Sequence, residues 1–340
     1  MEKILITGAS GFIGSFIVEE ALRRGMDVWA AIRRSSSREW LQDERIHFIE
    51  LNLSSEDELV HQLDGKVFDY VVHAAGVTKC LKKEQFYRVN TDGTRHLVNA
   101  LLRLHMPLKK FVYLSSLSIF GAIREKQPYQ AIREEDTPQP NTEYGKSKLA
   151  AEEFLKEKVK GGSNESATAF PYVILRPTGV YGPREKDYFL MAKSIKRHTD
   201  FAVGYQQQDI TFVYVLDVVQ AVFLALERGQ VGRSYFLSDG EVYQSATFSD
   251  LIIRELGYPW CLRIKAPLWV LRVVTTVGEY IGQLTGRISA LNKDKYHILK
   301  QRNWRCDIQP AVDELGYHPQ YQLERGVKET IKWYKEHGWI

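Results

Sequence analysis

Along its first 160 residues the chain alternates short apolar runs with longer stretches in which apolar residues recur every three or four positions. A short apolar run reads as a buried strand, and the longer period reads as one face of a helix. Strands are predicted at 4–6, 27–32, 46–51, 70–73 and 109–114. Helices are predicted from residue 12 to near Arg23 and Arg24, at 55–63, at about 84–105 and from Tyr144 through residue 155. Farther along, helical periods recur at 217–228 and 323–337, and the stretch 267–285 is the most apolar of all. Two segments stay ambiguous on pattern alone. Residues 122–141 carry Pro128, Pro138 and Pro140 among polar side chains, as either a flap or a plain surface excursion. Residues 267–285 fit a helix packed on the core, a wall of an apolar pocket or a membrane-surface contact, their length and their charges Arg272 and Glu279 arguing against a membrane span.

Chemistry gathers where predicted strands end. The first strand runs into Thr7-Gly8-Ala9-Ser10-Gly11-Phe12-Ile13-Gly14 and then a helix. Glycines let the backbone come close to a ligand, and the first N–H groups of a helix favour an anion, so this turn is a candidate pyrophosphate site. The spacing Gly8, Gly11, Gly14 departs from the commoner G-x-G-x-x-G, and the plain alternative is a tight strand-to-helix turn. The second strand is followed by Arg33, Arg34, three serines and Arg38, with no acid to meet a ribose hydroxyl pair. Arginines and serines there suit a 2′-phosphate and favour NADP over NAD, against the reading that they only solvate a loop. Asn52 and Leu53 end the third strand, where Asn52 either bonds the adenine or caps its own turn. Ala74-Ala75-Gly76 leaves room for a ligand against the backbone after the fourth strand, whose His73 reads as structural. Asn90 is unfavourable by propensity within its helix and suits a local bond or a held water.

Tyr144-Gly145-Lys146-Ser147-Lys148 is the candidate catalytic segment. Residues four apart share a helix face, so Lys148 can lie beneath Tyr144. A cation and hydrogen-bond donors would favour the phenolate of a tyrosine whose ordinary pKa is about 10, allowing proton exchange with a substrate oxygen. Ser116, at the end of the fifth strand, would hold that oxygen. The same Tyr-x-x-x-Lys spacing also occurs on solvated helices, and its weight comes from following a nucleotide turn and a serine-rich strand end.

Composition narrows the class. A chain of 340 residues, 44% hydrophobic, can bury a large core and suggests two associated lobes. Its charge is +4, with 46 basic and 42 acidic residues and no long basic block, so nucleic acid is not an expected partner. Cys80, Cys261 and Cys306 are scattered, without metal spacing, as in a reducing compartment. With no leader before the first strand, the expectation is a cytoplasmic protein.

Together Thr7–Gly14, His73-Ala-Ala-Gly76, Asn90 with Gly93-Thr94, Ser115-Ser116, Tyr144–Lys148 and Leu175-Arg-Pro-Thr-Gly-Val-Tyr-Gly182 resemble the extended short-chain dehydrogenase/reductase family. The resemblance implies an α/β fold, a doubly wound parallel sheet binding a nicotinamide cofactor, with a smaller, mostly helical C-terminal substrate lobe. It implies catalysis by Ser116, Tyr144 and Lys148, cofactor contacts from Gly8, Ser10 to Gly14, Ala74 to Gly76, Asn90, Pro177 and Thr178, and a homodimer built on 84–105 and 144–160. The expected division is 1–178 with 201–230 for the nucleotide, and 179–200 with 231–340 for the substrate. Asn52 stands where the family commonly has an aspartate facing adenine.

Two departures choose among the family's chemistries. Nucleotide-sugar members usually carry an arginine just before the segment that here reads Ile210-Thr211-Phe212-Val213-Tyr214, and dehydratases resemble one another in having acids after the catalytic hydroxyl, where this chain has Leu117 and Ser118. The pattern is closer to 3β-hydroxysteroid dehydrogenases and dihydroflavonol reductases. The expectation is an NADP-preferring enzyme that interconverts a secondary alcohol and a ketone on a small, fairly apolar molecule. A nucleotide-sugar epimerase or dehydratase recycling its own NAD is the first alternative, and a non-catalytic nucleotide-binding regulator the second.

Overall fold

The predicted alternation of strand and helix builds the main sheet of the computed structural model, which describes residues 1–160, 170–258, 260–286 and 292–340. In order come β1 (Lys3–Thr7), α1 (Phe12–Arg23), β2 (Asp27–Ile32), β3 (His47–Glu50), α2 (Glu56–Leu63), β4 (Tyr70–His73) and α3 (Glu84–Phe86). A π-helical turn, Tyr87–Asp92, joins α3 to α4 (Gly93–Arg103), followed by β5 (Lys110–Leu114), α5 (Glu143–Lys160) and β6 (Tyr172–Pro177). The strand order is β3-β2-β1-β4-β5-β6, every neighbouring pair parallel.

Alternation along each strand sorts the core into two layers. Ile4, Ile6 and Val112 meet Ile17 and Val18 of α1 on one face. Leu5, Val71 and Phe111 meet Leu59 of α2, Leu97 of α4 and Leu155 of α5 on the other. The order reverses between β1 and β4, and open sheets of this kind bind ligands beyond the C-terminal strand ends at such a reversal. All the predicted strand-end residues therefore lie on one edge of the molecule.

The second half adds β7 (Gly179–Tyr181), α6 (Asp187–Ile195), β8 (Thr199–Val203), β9 (Asp209–Ile210), β10 (Phe212–Tyr214), α7 (Val215–Arg228) and β11 (Ser234–Leu237). Then come β12 (Tyr243–Gln244), α8 (Thr247–Leu256), β13 (Leu262–Ala266), α9 (Leu268–Thr285), α10 (Lys293–Lys300) and α11 (Leu323–Glu336). Helix α7 returns to the sheet through Val218 and Val222, beside α1. Two segments sit differently from the sequence division. The fully buried Ser234–Leu237 pairs with β6 as a seventh sheet strand, whereas Thr199–Val203 pairs with β13 outside the main sheet. Both follow from burial: β11 is covered on either side, while β8 and β13 leave Phe201, Leu262 and Ile264 exposed.

Residues 122–141 are tied down. Tyr129 and Ile132 are buried, Ile132 bridges to Cys306, and the Asn303 amide donates to the carbonyls of Arg124 at 3.1 Å and Gln130 at 2.9 Å. Helix α9 buries only Leu271, Thr275 and Gly282. Among the described residues no helix is long and apolar enough to cross a membrane.

Candidate active site

Close backbone packing shapes the nucleotide end. Gly8 has φ of +70°, and a β-carbon on it would strike the Ala74–Ala75 peptide, while one on Gly14 would collide with the Gly8 carbonyl. Gly11 caps α1, with no side chain bonded to its N-terminal N–H groups and no acid in its first turn. Those N–H groups are free for an anion, with Ser10, Phe12 and Ile13 around them. Thr7 Oγ1 locks the neighbouring strands by accepting from the Ala75 N–H at 3.3 Å and meeting His73 Nδ1 at 2.6 Å. His73 is fully buried, its other ring nitrogen sits 3.0 Å from Thr94 Oγ1, and burial pushes its pKa down to about 3. It is a neutral strut.

At the adenosine side, Arg33 and Arg34 are exposed, and among the described residues neither has a carboxylate within ion-pair distance. Arg38 instead lies over the Phe48 ring at 4.2 Å. Asn52 takes the capping option. Its Oδ1 accepts from the Ser54 N–H at 3.1 Å and hydroxyl at 2.6 Å, and its Nδ2 donates to Glu58 at 2.8 Å. Leu53 packs near Gly93. Across the edge, the Thr178 N–H, just after the buried Pro177, donates to the Leu237 carbonyl at 3.0 Å.

Ser116, Tyr144 and Lys148 converge beyond β5. Glycine at 145 permits this, because a β-carbon there would collide with the Ser118 carbonyl and hold α5 away from the serine loop. The Ser116 hydroxyl, which donates to Ser118 Oγ at 3.1 Å, lies near enough to the Tyr144 phenol to draw its pKa down, but burial is the larger effect and pushes it up to about 12. That differs from the expectation that Lys148 would favour a phenolate. The Lys148 ammonium donates to the Leu114 carbonyl at 2.7 Å and lies 4.7 Å over the Tyr113 ring; burial lowers its pKa to about 8. Tyr144 is thus held as a phenol at neutral pH, a proton donor.

Asn90 explains the π-helical turn. The widened turn buries its amide, whose Oδ1 accepts from the Val77 N–H at 2.8 Å while Nδ2 donates to the Val77 carbonyl at 3.0 Å and Ser147 Oγ at 2.9 Å. Gly76 fits between Asn90 and Lys148, since a β-carbon there would lie 3.1 Å from Asn90 Oδ1 and 3.3 Å from Lys148 Nζ.

Sequence reasoning missed two supports. Glu152, one turn beyond Lys148, is fully buried; it accepts from Ser115 Oγ at 2.5 Å and pairs with the buried Arg176 at 2.6 Å. The signals were present as the 144, 148, 152 spacing and a lone arginine in the apolar run of β6. Asp294 of α10 accepts from the N–H groups of Glu143 and Tyr144 at 3.1 Å each, capping the helix that carries the candidate catalytic residues. No local pattern announces a cap 150 residues away.

The geometry agrees with what the chain resembles. Against curated proteins it is 25% identical over 366 residues to a decarboxylating sterol-4-alpha-carboxylate 3-dehydrogenase of Candida albicans, covering 99% of this chain and 98% of that one. It is 24% identical over 358 residues to the dTDP-D-glucose 4,6-dehydratase of Homo sapiens, covering 99% and 92%. Among solved structures, dTDP-glucose 4,6-dehydratase from Bacillus anthracis in complex with NAD superposes with a TM-score of 0.78 at 20% identity, covering 99% of this chain and 97% of that one. The family model described as NAD dependent epimerase/dehydratase matches residues 4–238. That span takes in the main sheet from Ile4 of β1 to the end of β11, and the chain belongs to the NAD dependent epimerase/dehydratase family, a family of enzymes of the extended short-chain type.

Proposed function

We propose that this enzyme is an NADP-preferring oxidoreductase that interconverts a secondary alcohol and a ketone on a small, fairly apolar molecule. The observation that carries it is Tyr144, held as a phenol beside Ser116 and Lys148 at the mouth of a backbone cradle for a dinucleotide. A bound nicotinamide supplies or accepts the hydride. Gly8, Ser10 to Gly14 and Ala74 to Gly76 fit its pyrophosphate and backbone approach, with Thr178 at the edge and the buried Asn90 and Pro177 supporting it from behind. Tyr144 Oη gives its proton to the substrate oxygen in reduction and recovers it in oxidation. Ser116 Oγ holds the same oxygen. Lys148, beside Gly76 and Asn90, steadies the ribose side of the cofactor.

The free cations Arg33 and Arg34 support a 2′-phosphate; the NAD in the Bacillus anthracis structure makes NAD the competing cofactor. An apolar substrate is supported by the residues that precede 210–214. Gln208 donates to the Leu299 and Gln301 carbonyls at 2.8 Å each, and Asp209 is a buried carboxylate paired with Arg305 at 3.6 Å, so neither position offers a cation to a diphosphate. The sterol named for the Candida relative agrees with this. The sugar nucleotide named for the human relative favours the second reading, an epimerase or dehydratase with internally recycled NAD. Substrate selection is assigned to 179–200 and 231–340 apart from β11. We also infer a cytoplasmic homodimer through α4 and α5, which light scattering of the purified chain tests.

The deciding experiment is to denature freshly purified protein, identify any released nicotinamide nucleotide, and titrate untreated protein with NADPH and NADH. An empty protein that prefers NADPH, with Arg33→Ala weakening NADPH alone by about tenfold or more, supports the first reading. Near-stoichiometric release of NAD overturns it in favour of the second.

A further inference from the structure

Helix α9 carries apolar side chains on two faces. At about 100° per residue, Trp269, Tyr280, Val273, Leu284, Val277 and Ile281 fall within an arc of about 120°, all exposed, Trp269 by 71% and Leu284 by 69%. The buried Leu271, Thr275 and Gly282 lie on another arc, and Arg272, Thr276, Glu279 and Gln283 fill the third. The outward stripe is about 27 Å long for 18 residues. Just before Pro267 the two-stranded sheet also exposes apolar side chains on one side, where Ile264 pairs in register with Phe201, itself 63% exposed, and Leu262 lies on the same side. The opposite side of that sheet faces α8, through Arg263 bound to Asp200 and Asp250.

Charge identifies what covers such a surface. Arg272 flanks the junction of sheet and helix, Lys265 lies at the end of β13 on the side of Arg263, and Lys196 and Arg197 lie at the other end of β8, all exposed. The ion pairs of this region, Arg263 with Asp200 and Asp250 and Lys293 with Glu279, leave these four cations without a carboxylate partner among the described residues. Aliphatic side chains with Trp269, Tyr280 and Phe201, edged by unpaired cations, match a bilayer interface bearing anionic headgroups.

We propose that α9 and the outer face of β8–β13 dock this protein on an anionic lipid surface, lying in the interface rather than crossing it. The docking stands independently of any particular substrate. Full-length protein is mixed with phosphatidylcholine vesicles containing about a third phosphatidylserine, or none, in about 0.15 M salt, and floated. The protein is expected to float with the anionic vesicles and far less with the neutral ones. Val273→Ser, Val277→Ser and Leu284→Ser combined should lower partitioning by about tenfold or more, with unchanged circular dichroism and thermal midpoint. Arg197→Gln with Arg272→Gln should lower it by about tenfold on anionic vesicles only. No flotation of the wild type, or flotation of the serine variant equal to it, overturns the proposal. So does a dimer broken by the serine variant in the absence of vesicle binding, which assigns the face to a second copy.

Discussion

Helices α5 and α9 each run for 18 residues, and they treat solvent in opposite ways. Helix α5 is rich in lysine and glutamate, yet it buries Lys148 and Glu152 against β5 and β6. Helix α9 is mostly aliphatic and aromatic, yet it leaves seven large apolar side chains exposed. Burying a charge or exposing an apolar stripe each carries a free-energy cost, which packing alone gives no reason to sustain. The difference teaches where function lies on this molecule: inside α5, where a polar row faces the sheet edge, and outside α9, where an apolar row faces away.

The largest effect tests the inner row. Tyr144→Phe removes one hydroxyl and keeps the ring, so nucleotide binding should stay near wild type while turnover of a carbonyl substrate falls by about 10²–10⁴-fold. Turnover that survives would strip α5 of its catalytic meaning. Next comes the support beneath it. Glu152→Ala leaves Arg176 buried without its acid and should destabilise the fold by about 3–5 kcal/mol, read as a fall in the denaturation midpoint. Glu152→Gln keeps the shape and one acceptor, and should lose less. Equal losses would mean that the cavity rather than the charge dominates.

Much of this was legible in the sequence, for physical reasons that differ by element. The strand-turn-helix around Gly8, Gly11 and Gly14 showed because period, glycine and position coincide within a few residues. Tyr144 and Lys148 showed because a helix face has a fixed spacing. Arg176 did not, since its partner is decided by which strand lies beside α5, and parallel pairing of β5 with β6 is a tertiary fact. The π-helical turn at Asn90 was hidden because one extra residue in a turn leaves the apolar pattern almost unchanged. The ionisation of Tyr144 could not be read from spacing, because proximity of a cation along the helix says nothing of where its ammonium points; Lys148 is drawn to the Leu114 carbonyl. Helix α9 stayed ambiguous because apolar residues on two faces give a period without a direction.

Asp294 links the two helices, since α10 follows α9 in the chain and its carboxylate caps α5 at Glu143 and Tyr144. Asp294→Ala should destabilise by about 1 kcal/mol, the usual loss for a missing cap, and should speed amide exchange at 143–146 while residues near Leu155 keep their protection. Uniform exchange along α5 would show that the cap acts on the whole helix and not on the turn that carries Tyr144.

The smallest effect is the most discriminating. Leu284 is a large aliphatic residue, and a buried leucine truncated to a small side chain costs about 2–5 kcal/mol. On α9 it is 69% exposed, so Leu284→Ser should move the midpoint of the protein in solution by no more than about 0.5 kcal/mol. Leu155 on α5 is fully buried, and Leu155→Ala should fall in the full range for a core residue. If Leu284→Ser cost as much as Leu155→Ala, the outward stripe of α9 would be packed against protein in solution and its contrast with α5 would vanish. A near-zero cost at 284 beside a large one at 155 leaves the stripe without a stabilising role in the isolated chain, so any advantage of leucine there must come from what the face meets.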